Sequence, residues 1–263
     1  MLENAAVLTV AGSDSGGGAG IQADIKTFSA CGVFGTSVIT AIIAQNLDGV
    51  RAIQGISPKI VAAQMRAVLE GYPVKALKTG MLFSGTIIES VAAVLADYPS
   101  LPLVLDPVFT ATSGSRLIKP RAIRVLVEKL FPLAFLITPN LPEAEYLLQR
   151  KIVNRDAMWN AAHDLFDKFG VPVLLKGGHL SAAADDILCD ARGQEIFAAE
   201  FVKGVNSHGS GCTYAAAIAA FLARGENLRS AIALAKTYVS GSLQNALELS
   251  PGVRVMNHFW KSE

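Results

Sequence analysis

The sequence predicts an α/β fold: a mainly parallel central sheet lying between layers of helices, with a small antiparallel hairpin added late in the chain. Three observations predict it. Short apolar runs alternate with longer segments whose apolar residues recur at helical spacing, the order that builds strand–helix–strand units with parallel strands. Apolar residues make up 51% of the chain and charged residues 17%, with mean hydropathy +0.40, a composition suited to strands covered on both faces. The alternation then gives way, after Lys176, to a hairpin and two long helices.

Along the chain, the apolar run 5–11 reads as the first strand, and 20–30 behind its glycine-rich turn as the first helix. Strand 37–44 is followed by helix 58–70, whose start is marked by Ser57 as cap and Pro58 at the first helical position. Strand 76–79 leads to helix 86–97, and strand 103–105 to helix 120–130. Strand 134–137 is followed by helix 143–149, opened by Asn140-Leu-Pro-Glu143, and then by helix 156–169. Strand 173–175 ends the alternation. Segments 185–190 and 195–202 flank Ala191-Arg192-Gly193-Gln194 as an antiparallel hairpin, and helices 211–223 and 228–247 follow. With no linker, charge block or fixed-period repeat, residues 1–263 read as one domain.

Composition also excludes. Apolar stretches are broken well before the roughly 18 residues that span a bilayer, and the N-terminus carries an acid where a signal peptide carries a base; a cytoplasmic protein without membrane contact is expected. A net charge of +1 gives no footprint for nucleic acid. Cys31, Cys189 and Cys212 have neither disulfide nor metal-ligand spacing, and the four histidines form no metal motif.

Two glycine-rich turns carry the chemistry. Gly12-Ser-Asp-Ser-Gly-Gly-Gly-Ala-Gly20 follows a strand and opens a helix, where backbone N–H groups meet ligands in α/β proteins. Its spacing fits neither the dinucleotide fingerprint nor the P-loop. Asp14 and Asp24 read equally well as an acid pair or as turn-capping and helix-start charges. The second turn, Asn206-Ser-His-Gly-Ser-Gly-Cys212-Thr, enters an alanine-rich helix. The N–H groups of Gly209, Ser210, Gly211 and Cys212 converge there, with the helix dipole, on a site for charge developing on a transferring phosphoryl group. Cys212 in the first helical turn is placed for a lowered thiol pKa and a role as base; a lone cysteine is otherwise a small buried apolar residue. Cys31 and Cys189 read as structural, as do His179 and His208.

Six blocks in order, AGSDSGGGAGIQADIKTFSACGVFGTSVITAIIAQN, GML at Gly80, LDPVF at Leu105, ITPNLPEAE at Ile137, LLKGGH at Leu174 and HGSGCT at His208, resemble the signature of hydroxymethylpyrimidine/phosphomethylpyrimidine kinases. The resemblance runs from Val7 to about His258. It implies a ribokinase-like three-layer αβα sandwich, a homodimer, and ATP-dependent phosphorylation of 4-amino-5-hydroxymethyl-2-methylpyrimidine and then of its monophosphate, with Mg²⁺. It further implies that Gln45 reads the pyrimidine edge, that Gly12, Met81 and Val108 line that pocket, and that Cys212 is the base. Lys176 and Ser210 would face ATP phosphates, Gly209 and Gly211 the transferring group, and Asp106 and Glu143 would organise Mg²⁺ and its waters. Each has a plainer reading: Gln45 as a strand-end cap, Met81 as core, Asp106 and Glu143 as helix-start acids beside Pro107 and Pro142. Thr112 stands where many relatives have lysine and is left with a weaker phosphate contact. Two rivals remain open: a pyridoxal kinase of the same superfamily, and a non-catalytic pyrimidine-binding protein on this fold. A Rossmann oxidoreductase is weaker still, because the glycine spacing is wrong and no acid closes a matching ribose site.

Overall fold

The computed structural model describes residues 5–109, 117–178 and 184–261. Its elements begin with β1 (Ala6–Asp14), α1 (Gly20–Ala30), β2 (Phe34–Asn46), β3 (Gly49–Gly55), α2 (Pro58–Gly71), β4 (Val74–Thr79), α3 (Gly85–Leu95) and β5 (Leu103–Leu105). There follow α4 (Pro120–Lys129), β6 (Leu136–Ile137), α5 (Leu141–Leu148), α6 (Arg155–Phe169) and β7 (Val173–Lys176). The chain ends with β8 (Asp186–Asp190), β9 (Gly193–Phe197), α7 (Ser210–Ala223), α8 (Leu228–Gln244), β10 (Leu247–Ser250) and β11 (Val253–Val255).

The main sheet has nine strands in the order β3-β2-β1-β4-β5-β6-β7-β8-β9. The six from β2 to β7 run parallel, and β3, β8 and β9 add antiparallel edges. From β1 the chain crosses to β2 on one side and later to β4 on the other. The carboxyl end of β1 therefore lies at a switch point, where open α/β sheets leave a crevice.

Strand alternation assigns the layers. Leu8, Leu105, Val173 and Ile187 join a core with α2, α3, α4, α5 and α6. Val7, Val104, Leu174 and Leu188 join the opposite core with α1, α7 and α8. Each fully buried Leu, Ile or Val in these layers contributes about 1.5–3 kcal/mol. The alanine run 215–217 and 219–220 keeps α7 slim, so it seats directly on the middle of the sheet.

The helix-start signals act as expected. Ser57 Oγ accepts the Ile60 N–H, and Asn140 and Glu143 form a full capping box at α5. Strands β1 and β2 run longer than their apolar runs, and only Leu136 and Ile137 of the 134–137 segment join the ladder. The predicted hairpin turns on Ala191 and Arg192 alone and extends the main sheet through β8. Strand β3 escaped notice because Gly-Val-Arg-Ala-Ile-Gln-Gly is a half-exposed edge without an apolar period. The segment 228–247 is not one helix: α8 stops at Gln244, and Leu247 begins the β10–β11 hairpin that turns at Pro251-Gly252, where Gly252 has φ +78°.

Candidate active site

The carboxyl ends of β1, β4, β5 and β7 and the N-terminus of α7 surround a cleft of 580 Å³. It is lined by Gly12, Gln45, Met81, Asp106, Val108, Glu143, Lys176, Gly209, Ser210, Gly211 and Cys212. Every sequence-predicted site residue is thus brought to one place except Thr112, which lies outside the described residues.

The first turn is organised by Asp14. Its Oδ1 accepts the Gly16 N–H at 2.8 Å and its Oδ2 the Ala19 N–H at 2.9 Å. Burial pushes the Asp14 carboxyl up, but hydrogen bonds from His208, Gly16 and Ala19 outweigh it and hold it below the usual range. Asp14 and Asp24 are not an acid pair. Asp24 lies fully buried beneath the turn, where both its oxygens accept from Lys78 Nζ, at 2.9 and 2.8 Å, and Thr9 Oγ1 donates to Oδ2 at 2.6 Å.

The second turn docks against the first. Gly209 caps α7 with φ +81°, and its carbonyl accepts the Thr213 N–H at 2.8 Å. A Cβ at Gly209 would overlap the Gly18 carbonyl oxygen. The substitution Gly209→Ala therefore meets both a left-handed backbone and a backbone neighbour that cannot yield. It is expected to lower Tm and, by shifting the α7 N-terminus on the ångström scale, to cut kcat/KM by about 10²-fold. Melting curves and initial rates on the purified variant check both; wild-type values for the pair would show the turns to be loosely coupled.

Beneath α7, Lys176 Nζ donates to Asp106 Oδ1 at 2.7 Å, and Thr138 Oγ1 donates to the same oxygen at 3.1 Å. A Cβ at Gly211 would sit 3.2 Å from Lys176 Nζ, so the ammonium lies directly under the helix start. Burial works against the Lys176 charge, but Asp106 and Glu143 beside it keep the ammonium protonated above its ordinary range. Glu143 Oε2 accepts the Asn140 N–H at 2.8 Å and Oε1 the Phe109 N–H at 3.3 Å. Its burial, opposed by Lys176 and reinforced by Asp106, raises the carboxyl to about 8.

Cys212 is partly exposed and lines the cleft. Its thiol is nevertheless raised, not lowered as the helix-start position predicts. Burial dominates; Lys78 and the Gly20 N–H oppose it, and Asp24 and Asp106 add to it. Cys31 and Cys189 are buried.

The other wall is apolar. Ile43 and Met81 form a small cluster with Ala41, flanked by Val108 and Leu117. A Cβ at Gly12 would approach Met81 Sδ to 3.2 Å and Ile43 Cδ1 to 2.9 Å, so glycine there keeps the wall flat. Gln45 closes the end of β2 beside His208, with Gln45 Nε2 2.8 Å from His208 Nε2.

Two residues of the cleft lining were missed in the sequence. His208, read as structural, stands in the cleft wall; its place directly before Gly-Ser-Gly was the available signal. Asn140 lines the cleft while serving as a cap. Outside the cleft lining, Lys78, a lysine within an apolar strand, signalled its buried partner Asp24. Among the described residues no group of three or more His, Cys, Asp or Glu side chains is arranged to hold a metal ion, and no helix is long and apolar enough to cross a membrane.

The chain is similar to known proteins along most of its length. Residues 14–257 match the family model described as phosphomethylpyrimidine kinase. The "Hydroxymethylpyrimidine/phosphomethylpyrimidine kinase" of Rhizobium meliloti is 45% identical, over 98% of this chain and 99% of its own length. The "Thiamine biosynthesis bifunctional protein" of Geobacter sulfurreducens is 48% identical, and the chain spans 53% of that longer protein. Among solved structures, the phosphomethylpyrimidine kinase of Clostridium difficile superposes with a TM-score of 0.79 at 44% identity, covering 89% of this chain and 97% of its own. An ADP complex of Bacillus subtilis pyridoxal kinase superposes at 0.90 with 34% identity, covering 99% of both. The family match over most of the length, joined to a ribokinase-like sheet with a cysteine at the start of α7, places this chain in the phosphomethylpyrimidine kinase family of phosphotransferases.

Proposed function

We propose that this chain uses ATP to phosphorylate the hydroxymethyl group of 4-amino-5-hydroxymethyl-2-methylpyrimidine, and then the monophosphate so formed, for thiamin phosphate synthesis. The observation that carries the reading is the convergence of Cys212, Lys176 and the α7 N-terminus on one side of a cleft whose other side is a flat apolar wall ending at Gln45.

In this reading the heteroaromatic ring lies on Met81, Ile43 and Val108, and the Gln45 amide donates to and accepts from its edge. Cys212 takes the hydroxyl proton as the oxygen attacks the γ-phosphorus in line. The unpaired N–H groups of Gly211 and Cys212, with Gly209 and Ser210 framing them, receive the charge on the transferring phosphoryl oxygens. Lys176, protonated, stabilises the same charge from beneath the helix.

A magnesium ion fits the donor set. Asp106 Oδ2 faces the α7 start, 4.0 Å from where a Cβ on Gly211 would lie, and offers one carboxylate oxygen. Both Glu143 oxygens already accept a backbone N–H group, which leaves each a second lone pair for the ion or for one of its waters. Such an ion keeps most of its waters and neutralises phosphate charge. Thr112 is assigned a weak ATP contact. The chain is assigned as one kinase domain, cytoplasmic and homodimeric; the half-exposed Phe34, Ile42 and Leu47 on and just beyond β2 offer apolar surface for a second copy.

The pyridoxal reading is kept because the fold superposes on a pyridoxal kinase along the whole chain. The deciding experiment supplies Mg·ATP with the pyrimidine, its monophosphate or pyridoxal, and follows ADP release and product mass. Mono- and diphosphate from the pyrimidine are expected. Product from pyridoxal alone would overturn the substrate and keep the mechanism. No ADP release with any of the three would favour a non-catalytic binding protein.

A further inference from the structure

His208 joins the two glycine turns to the residue assigned to read the substrate. Its ring lies against Gly18, where a Cβ would come within 3.0 Å of His208 Cδ2. Its backbone N–H is tied to Asn206 Oδ1 at 2.9 Å. Its Nε2 then has two polar neighbours, Asp14 Oδ2 at 3.2 Å and the Gln45 side-chain amide at 2.8 Å. A single imidazole nitrogen cannot donate to a carboxylate and accept from an amide –NH₂ at the same time. One of the two contacts must set the other.

Asp14 is the fixed member. Two backbone N–H groups and the fold of the turn hold its carboxylate in place, and its side chain is only 2% exposed. A carboxylate 3.2 Å from Nε2 requires that nitrogen to carry a proton. The Gln45 amide, whose two ends exchange by a half-turn with the same heavy-atom positions, must then offer His208 its oxygen. Its –NH₂ is left for the cleft, and the second lone pair of the oxygen remains available beside it.

We propose that His208, oriented by Asp14, is a positioning residue that fixes the polarity of the Gln45 amide and so selects a ring edge presenting an acceptor nitrogen next to an exocyclic donor. The inference rests on the pyrimidine reading above and sharpens it. Gln45 alone, free to turn over, would match a donor–acceptor edge or its reverse. Held by His208, it matches one order only, and a buried edge of the wrong polarity leaves groups unpaired.

The test compares two substrates with reversed edges: the 4-amino-5-hydroxymethyl pyrimidine and its 4-oxo counterpart, whose ring nitrogen carries hydrogen. Wild type is expected to prefer the amino compound strongly in kcat/KM. His208→Phe keeps a flat ring against Gly18 but removes the N–H. It is expected to reduce that preference by about tenfold or more, chiefly through KM, with the KM for ATP unchanged. In a Gln45→Ala background the same substitution should leave the preference where Gln45→Ala alone puts it. His208→Leu, which also removes the N–H, carries the same expectation should the phenylalanine variant not fold. A preference unmoved in folded His208 variants, or moved equally with and without Gln45, would overturn the inference while leaving the pyrimidine reading intact. Failure of wild type to phosphorylate the amino compound would overturn that reading, and the inference with it.

Discussion

Replacing Cys212 with alanine is expected to lower turnover by about 10²–10⁴-fold, the range associated with loss of a general base, while leaving the melting temperature nearly unchanged. Cys212 lines the cleft and is not part of the core layer formed by the helix behind it, so truncation leaves no large cavity. Its raised thiol adds a second, sharper expectation. Because burial outweighs Lys78 and the Gly20 N–H, most of the thiol is protonated near neutral pH in the free protein. Alkylation of Cys212 by iodoacetamide should therefore accelerate with pH, with a midpoint above that of an ordinary thiol. Turnover is expected to rise over the same interval. An alanine variant with wild-type turnover would remove Cys212 from the proton transfer. An alkylation midpoint below the ordinary thiol value would show the helix start and Lys78 to outweigh burial.

The second large effect is on stability. Lys78 and Asp24 form an ion pair with neither side chain exposed to solvent. Burial works against the Lys78 charge, but Asp24 in contact with it, with Asp106 adding to the effect, keeps it protonated; burial raises the Asp24 carboxyl even against Lys78. The short contacts at both carboxylate oxygens mark an ionised pair. Lys78→Met leaves Asp24 buried without its partner, a loss of about 3–5 kcal/mol, which lowers Tm on the order of 10 °C for a chain of this size. The double substitution Lys78→Met with Asp24→Leu removes both charges and is expected to recover more than half of the loss, since a buried pair gives little net stability over well-packed apolar groups. Urea or thermal unfolding of the three proteins decides it. A single variant as stable as wild type would mean that water or a proton already compensates Asp24.

How far the sequence could be read follows from where each signal resides. Strands buried on both faces, such as Leu103–Leu105 and Val173–Lys176, announce themselves as short apolar runs, and Ser57 and Asn140 mark helix starts through local capping. Strand β3 could not be seen because its hydrogen bonds come from β2 and its own side chains are half solvated. The same division holds in the cleft. Gln45, Lys176, Asp106 and Cys212 stand at strand ends or the helix start, positions visible from local pattern. His208 acquires its significance only through Asp14, 194 residues away, and no local pattern carries a partner so distant. The raised thiol of Cys212 follows the same division: the helix start is local, whereas Asp24 and Asp106, which add to the effect of burial, are brought to it from distant parts of the chain.

The junction of Gly18 with Gly209 has a consequence for how the molecule comes into being. The two turns that meet in the crevice, joined at Asp14 and His208, lie 194 residues apart in the chain, so the site can form only after the second of them has left the ribosome. The sheet can assemble strand by strand as it emerges, but α7 docks across its centre only afterwards. Closing such long-range contacts is a slow step in folding. Chains cut short before residue 206 would carry an intact first turn with no partner, and activity should return only when the second turn and α7 are supplied, which makes the appearance of kinase activity a clock for that docking event.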